Sequence, residues 1–83
     1  MAKAIDRWGI GARIRALRAS RGWSQTELAA ELSKVHGTTI RRQAVQSWES
    51  GRTNPYYEAQ LSLGILFKVH PCHIMYGDFM LDK

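Results

Sequence analysis

Cysteine is nearly absent, proline occurs twice, and no apolar run approaches the roughly 18 residues that a membrane-spanning helix needs. A lone Cys72 excludes an internal disulfide framework and suits a reducing cytosol better than a secreted mini-protein. The opening residues, MAKAIDRWGIGARIR, lack the apolar core of a signal peptide, so a soluble, cytoplasmic chain with no membrane partner is expected. Repeats, low-complexity stretches and linkers are missing too. No nucleophile, base and orienter grouping can be read, and no glycine-rich phosphate loop, so catalysis has no visible seat and no enzyme is expected. His70, Cys72 and His73 are close neighbours, with His36 a distant fourth, but they do not follow a zinc spacing such as Cys-x-x-Cys. Neither a metal nor a cofactor is expected.

Acidic residues are scarce as well, 7 against 12 lysines and arginines, for a formal net charge of +5. The surplus is local. Residues 1–55 hold ten basic side chains against four acidic ones, and the remainder holds two against three. Such a balance favours a polyanion, and nucleic acid more than a membrane surface, because the apolar stripes between the arginines are needed for a core. Eighty-three residues suit one domain and leave no room for a second.

Glycine and proline fall singly between short segments of helical period, which predicts an all-α chain of five helices. The boundaries expected are an arm over 1–9, a domain over 10–77 and a tail over 78–83. Ile10, Ile14 and Leu17 mark a first helix from Gly9 to Ser20, closed by Gly22. Ser24-Gln25-Thr26-Glu27 is a capping box opening a second helix, with Leu28, Leu32 and Val35 as its stripe, which ends near Val35 before Gly37 and two threonines. A third runs from Arg41 to Ser50, with Ala44, Val45 and Trp48 inward and Arg42, Gln43, Gln46 and Ser47 outward. Pro55 opens a fourth through Lys68, with Leu61, Ile65 and Leu66 as the expected buried face, and Pro71 a short fifth. Trp23 and Trp48 are expected in or near the core. Tyr57 is expected partly exposed, while Tyr56 is open between phosphate contact and core cover.

A capped helix, a turn and a short helix with long polar side chains outward is the geometry that lays a recognition helix in the major groove. Arginine matches guanine and glutamine matches adenine there through paired polar atoms. At these residues the chain resembles the Cro and phage-repressor (XRE-like) type of helix-turn-helix regulator. The resemblance rests on Ile14-Arg15-x-Leu17-Arg18, Gly22-Trp23-Ser24-Gln25-x-Glu27-Leu28-Ala29, Ile40-Arg41-Arg42-Gln43-Ala44-Val45-Gln46-x-Trp48-Glu49-x-Gly51, and Pro55, and it extends over residues 10–77. It implies a compact five-helix, lambda-repressor-like domain that binds a palindromic double-stranded DNA operator as a dimer and represses transcription in a bacterial cytoplasm or a phage-infected host.

Carried over by the resemblance, Arg42, Gln43, Gln46 and Ser47 read bases. By the same resemblance Gln25, Arg52 and Thr53 hold phosphates, and Arg18 with Glu49 forms a structural ion pair; Ser24 at the start of the second helix, Arg41 at the entrance of the third and Lys34 on the longer connection are further expected phosphate contacts. The expected homodimer uses the fifth helix and the C-terminal segment, through Ile74, Met75, Phe79 and Met80. Control is left to synthesis, degradation or a regulatory protein partner.

One departure stands out. Between the second helix and Ile40 the chain carries about six more residues than the family spacing, where a turn of 3–4 is usual. Two arrangements fit Ser33 to Thr39: an extra turn of helix with a longer loop, which adds Lys34 and His36 as phosphate contacts, or a tilted recognition helix. A different class of function, a protein-interaction module of antitoxin or adaptor type, shares the same fold. The outward face of the third helix discriminates the two, since Arg42, Gln43 and Gln46 suit DNA and mean little to a protein partner.

Overall fold

Helical periodicity becomes packing through a few apolar positions per segment. The computed structural model describes residues 7–77, with side chains described from Gly9 onward. It has five helices in chain order: α1 (Arg7–Ser20), α2 (Gln25–His36), α3 (Arg42–Glu49), α4 (Tyr57–Phe67) and α5 (Pro71–Tyr76), with no strand among the described residues. Ile10 and Ile14 of α1, Leu28 and Leu32 of α2, Val45 of α3, Leu63 of α4 and Ile74 of α5 are all fully buried, so every helix contributes to a single core. Each such side chain gives about 1.5–3 kcal/mol on leaving water. Among the described residues no helix is long and apolar enough to cross a membrane.

The helix ends are set by local chemistry. Ser24 accepts the Glu27 amide while the Glu27 carboxylate accepts the Ser24 amide, closing the capping box of α2. Gly37 ends that helix at φ 89, a left-handed conformation that a side chain would strain. The segment between α2 and α3 therefore resolves into one added turn of α2, through His36, and a short loop. Ile40 plugs that loop into the core. Its amide donates to Ser33 Oγ at 2.8 Å, and the serine proton goes back to the Ala29 carbonyl at 2.7 Å. Ser33→Ala would strand the Ile40 amide and is expected to cost about 1–3 kcal/mol, measured by urea denaturation.

Several expectations are corrected. α1 begins at Arg7, so the arm expected over 1–9 holds its first turn. Val35 lies on the added turn, beyond the core, and is exposed; Ala29 fills the stripe instead. α4 starts at Tyr57, and Pro55 lies before it, fully buried, with its carbonyl accepting from Gln60 Nε2 at 3.0 Å. Leu61 and Ile65 face outward, because Ala59, Leu63 and Phe67 form the side of α4 that packs inward. Ile74 and Met75 are 0% and 4% exposed and cannot supply a dimer surface: α5 has only six residues, and both large side chains are taken by the core. Phe79 and Met80 lie outside the described residues, as does the tail over 78–83.

Candidate nucleic-acid interface

The position of α3 follows from two fixtures. On its inner side Val45 and Trp48 are buried in the core, and its last residue, Glu49, is buried with a side chain only 1% exposed. A carboxylate at that depth is costly unless every lone pair is met. Here Arg18 Nε donates to Oε2 at 2.7 Å and Arg18 Nη2 to Oε1 at 2.9 Å, a two-pronged pair, while Nη1 donates to the Trp23 carbonyl at 2.9 Å. Burial alone would raise the Glu49 pKa. The hydrogen bonds from Arg18 and Gln25, with the charges of Arg18 and Arg15, outweigh it and hold the carboxyl below its ordinary value. The hydrogen bond to Glu49 in turn lifts Arg18 above the ordinary arginine range.

With that inner side fixed, the outward face of α3 presents Arg42, Gln43 and Gln46 exposed and Ser47 half-buried. Arg42 Nη1 donates to Gln46 Oε1 at 3.1 Å, so the Gln46 carbonyl is engaged and its amide N–H groups point away. Gln43, Gln46 and Ser47 line a polar depression that Ser50 and Arg52 complete. The turn after α3 is drawn back over the helix, since the Arg52 and Thr53 amides both donate to the Ser47 carbonyl, at 3.0 and 3.3 Å. Arg41, exposed, sits at the N-cap of the same helix.

Gln25 joins this cluster from α2. Its Nε2 donates to Glu49 Oε1 at 3.1 Å, which ties the start of α2 to the end of α3. The amides of Gln25 and Thr26, in the first turn of α2, have no carbonyl one turn earlier to bond, the usual anion-holding arrangement of a helix start. Lys34 is not part of the cluster: it lies nine residues further along α2, about 14 Å away, and pairs with Glu31 at 3.2 Å. His36 is not free for phosphate. Ser62 Oγ gives its proton to the Glu58 carbonyl at 3.0 Å, so His36 Nδ1 donates to Ser62 at 2.8 Å and Nε2 accepts from the Tyr56 hydroxyl at 3.1 Å. The ring thus bolts the added turn of α2 to α4. Arg15 was missed by sequence reasoning. It reaches Glu49 Oε1 at 3.6 Å while 63% exposed, and its spacing one turn before Arg18 was the available signal. At the far end, His70 Nδ1 accepts the Cys72 amide at 3.0 Å as the cap of α5.

A capped α2, a loop and an α3 with one polar face outward are matched over residues 14–58 by the model of the helix-turn-helix family. The chain belongs to the helix-turn-helix family. The whole helix-turn-helix domain superposes on solved structures of phage-repressor type. The P22 c2 repressor protein in complex with synthetic operator 9T is 33% identical, with a TM-score of 0.67, over 83% of this chain and 96% of that one. The DNA-binding domain of the same repressor, determined in solution by nuclear magnetic resonance, is 28% identical, with a TM-score of 0.65, over 95% of this chain and 96% of that one. No curated protein matches the chain. The helix-turn-helix fold is therefore kept with the longer connection in place.

Proposed function

We propose that this helix-turn-helix protein is a sequence-specific regulator of transcription, a repressor that holds a palindromic double-stranded DNA operator as a homodimer. The observation that carries the reading is the two-sidedness of α3: Val45, Trp48 and Glu49 are locked inside while Arg42, Gln43, Gln46 and Ser47 stand outward. A helix so fixed can enter the major groove without paying to order its backbone, and its outward residues have the polar atoms that base edges match. Arg42 serves a guanine, Gln43 and Gln46 adenines, and Ser47 either. The hydrogen bond from Arg42 to Gln46 holds both side chains together on the outward face before DNA arrives. Ser24, Gln25, Arg41, Arg52 and Thr53 hold phosphates on either side, and Lys34 a more distant one. The operator complex of the P22 c2 repressor supports this docking.

Selection of bound duplexes from a random library tests the reading. A two-fold site is expected to emerge and to bind about 10³-fold or more tighter than scrambled DNA. Arg42→Ala and Gln43→Ala should each lose about 1–3 kcal/mol of discrimination at one defined base pair. Arg41→Ala should weaken all duplexes alike and lower the salt slope by about 1. Equal binding to every duplex, governed by salt alone, overturns the proposal.

A further inference from the structure

Ile65 is 66% exposed, Tyr57 65% and Leu61 39%, and the three follow one another a helical turn apart on α4. The opposite side of α4 is already filled, by Ala59, Leu63 and Phe67 against α2 and α5. Beside the stripe, where the chain turns into α5, Gly64, Val69, His70 and Pro71 form with Leu61 and Ile65 a shallow apolar groove. A contiguous apolar strip of this kind on a small soluble domain marks a docking surface.

We infer that a second copy of this chain docks here, α4 against α4, antiparallel across a two-fold axis. The inference rests on the operator-binding reading, which brings two copies onto one duplex. Three features select a second copy over an unrelated partner. A two-fold axis level with Leu63 sets Leu61 opposite the second copy's Ile65, twice over, so the strip is complementary to itself, as an isologous contact requires. The same axis sets Glu58, exposed at the start of α4, opposite the second copy's Lys68, exposed at its end, twice over. A parallel pairing would instead face like charges. Finally, α4 packs on α2 and α5 whereas α3 packs on α1 and α2, so docking along α4 leaves the outward face of α3 open.

The patch is small. Three exposed apolar side chains carry it, few beside the roughly 20–30 residues a side of a standard stable interface, so the pairing is weak in free solution. It strengthens on a duplex with two half-sites, where the second copy is held nearby.

The test uses the full chain on the palindromic duplex from the selection and on a duplex with one half-site. Ile65→Asp changes an exposed side chain, so folding and half-site binding are expected to stay at the parent level. Cooperative binding to the full site should fall about tenfold or more, the scale of one lost apolar anchor. Glu58→Lys and Lys68→Glu should each fall likewise, and an equimolar mixture of the two should recover cooperativity, because every cross-contact then joins unlike charges. Sedimentation equilibrium without DNA at millimolar concentration should show self-association of the parent and its loss in Ile65→Asp. Unchanged cooperativity and self-association in Ile65→Asp, or a mixture no better than its components, overturns the docking face. Should the parent select no duplex, the operator reading fails alone, and sedimentation of the parent, Ile65→Asp and the mixed charge variants still decides the face.

Discussion

Exchanging Glu49 for alanine is expected to cost about 3–5 kcal/mol of folding stability, read as a lower urea midpoint. The size follows from what is left behind. Arg18, with a side chain only 18% exposed, would keep its charge and lose both prongs of its pair, and Gln25 would lose its acceptor. Against a total stability of about 5–15 kcal/mol for a domain, such a loss brings the chain near unfolding. Glu49→Gln separates charge from shape: it keeps a carbonyl for Gln25 but leaves the guanidinium uncompensated.

The same carboxylate sets an acid dependence whose sign is fixed. Because the Glu49 pKa is lower folded than unfolded, the folded state binds fewer protons and stability rises with pH. The contribution is complete above the ordinary glutamate value, about 4.3, and is lost as pH falls through the lower folded value. Urea midpoints measured from neutral pH into the acid range should therefore fall more steeply for the parent than for Glu49→Gln. Parallel curves would show that the pair does not act this way.

The second large effect belongs to Gly11, where α1 crosses the end of α3. A Cβ there would lie 2.5 Å from the Glu49 carbonyl oxygen and 2.7 Å from that of Trp48. Both are backbone atoms, so neither can swing aside as a side chain would. Gly11→Ala is expected to destabilise by about 1–3 kcal/mol, even though alanine in place of a helical glycine ordinarily gains up to about 1 kcal/mol. For a domain of this size each kcal/mol lowers Tm by about 4–8 °C. Duplex affinity should fall in step, since relief of the clash moves the end of α3, which the proposed docking uses. A Tm at or above the parent's would contradict so close an approach.

The sequence made α2 and α3 legible because their signals are local. A capping box lies within four residues, and the spacing of Val45 and Trp48 by itself places Arg42, Gln43 and Gln46 on the other side. α4 was misread for the opposite reason. Tyr57, Ala59, Leu61, Leu63, Ile65, Leu66 and Phe67 surround it with apolar side chains, so periodicity names no face and only contact with α2 and α5 decides which side is buried. α5 is too short to show a period, and what looked like surplus apolar surface at Ile74 and Met75 is core. The bonds of His36 to Ser62 and Tyr56 and of Gln25 to Glu49 join residues 20 or more positions apart. No pattern along the chain announces such pairs before the helices are packed.

The join between Ser33 and Ile40 also bears on how such a chain can grow. The loop is fastened at both ends, by the serine hydroxyl and by the buried isoleucine, so the residues between them do not set where α3 begins. Thr38 and Thr39 stand exposed in the middle of that span. Closing a flexible loop costs only about 0.6 kcal/mol more for each doubling of its length. Extra residues accepted there, whether by inheritance or as a grafted label, would leave α3 where it is.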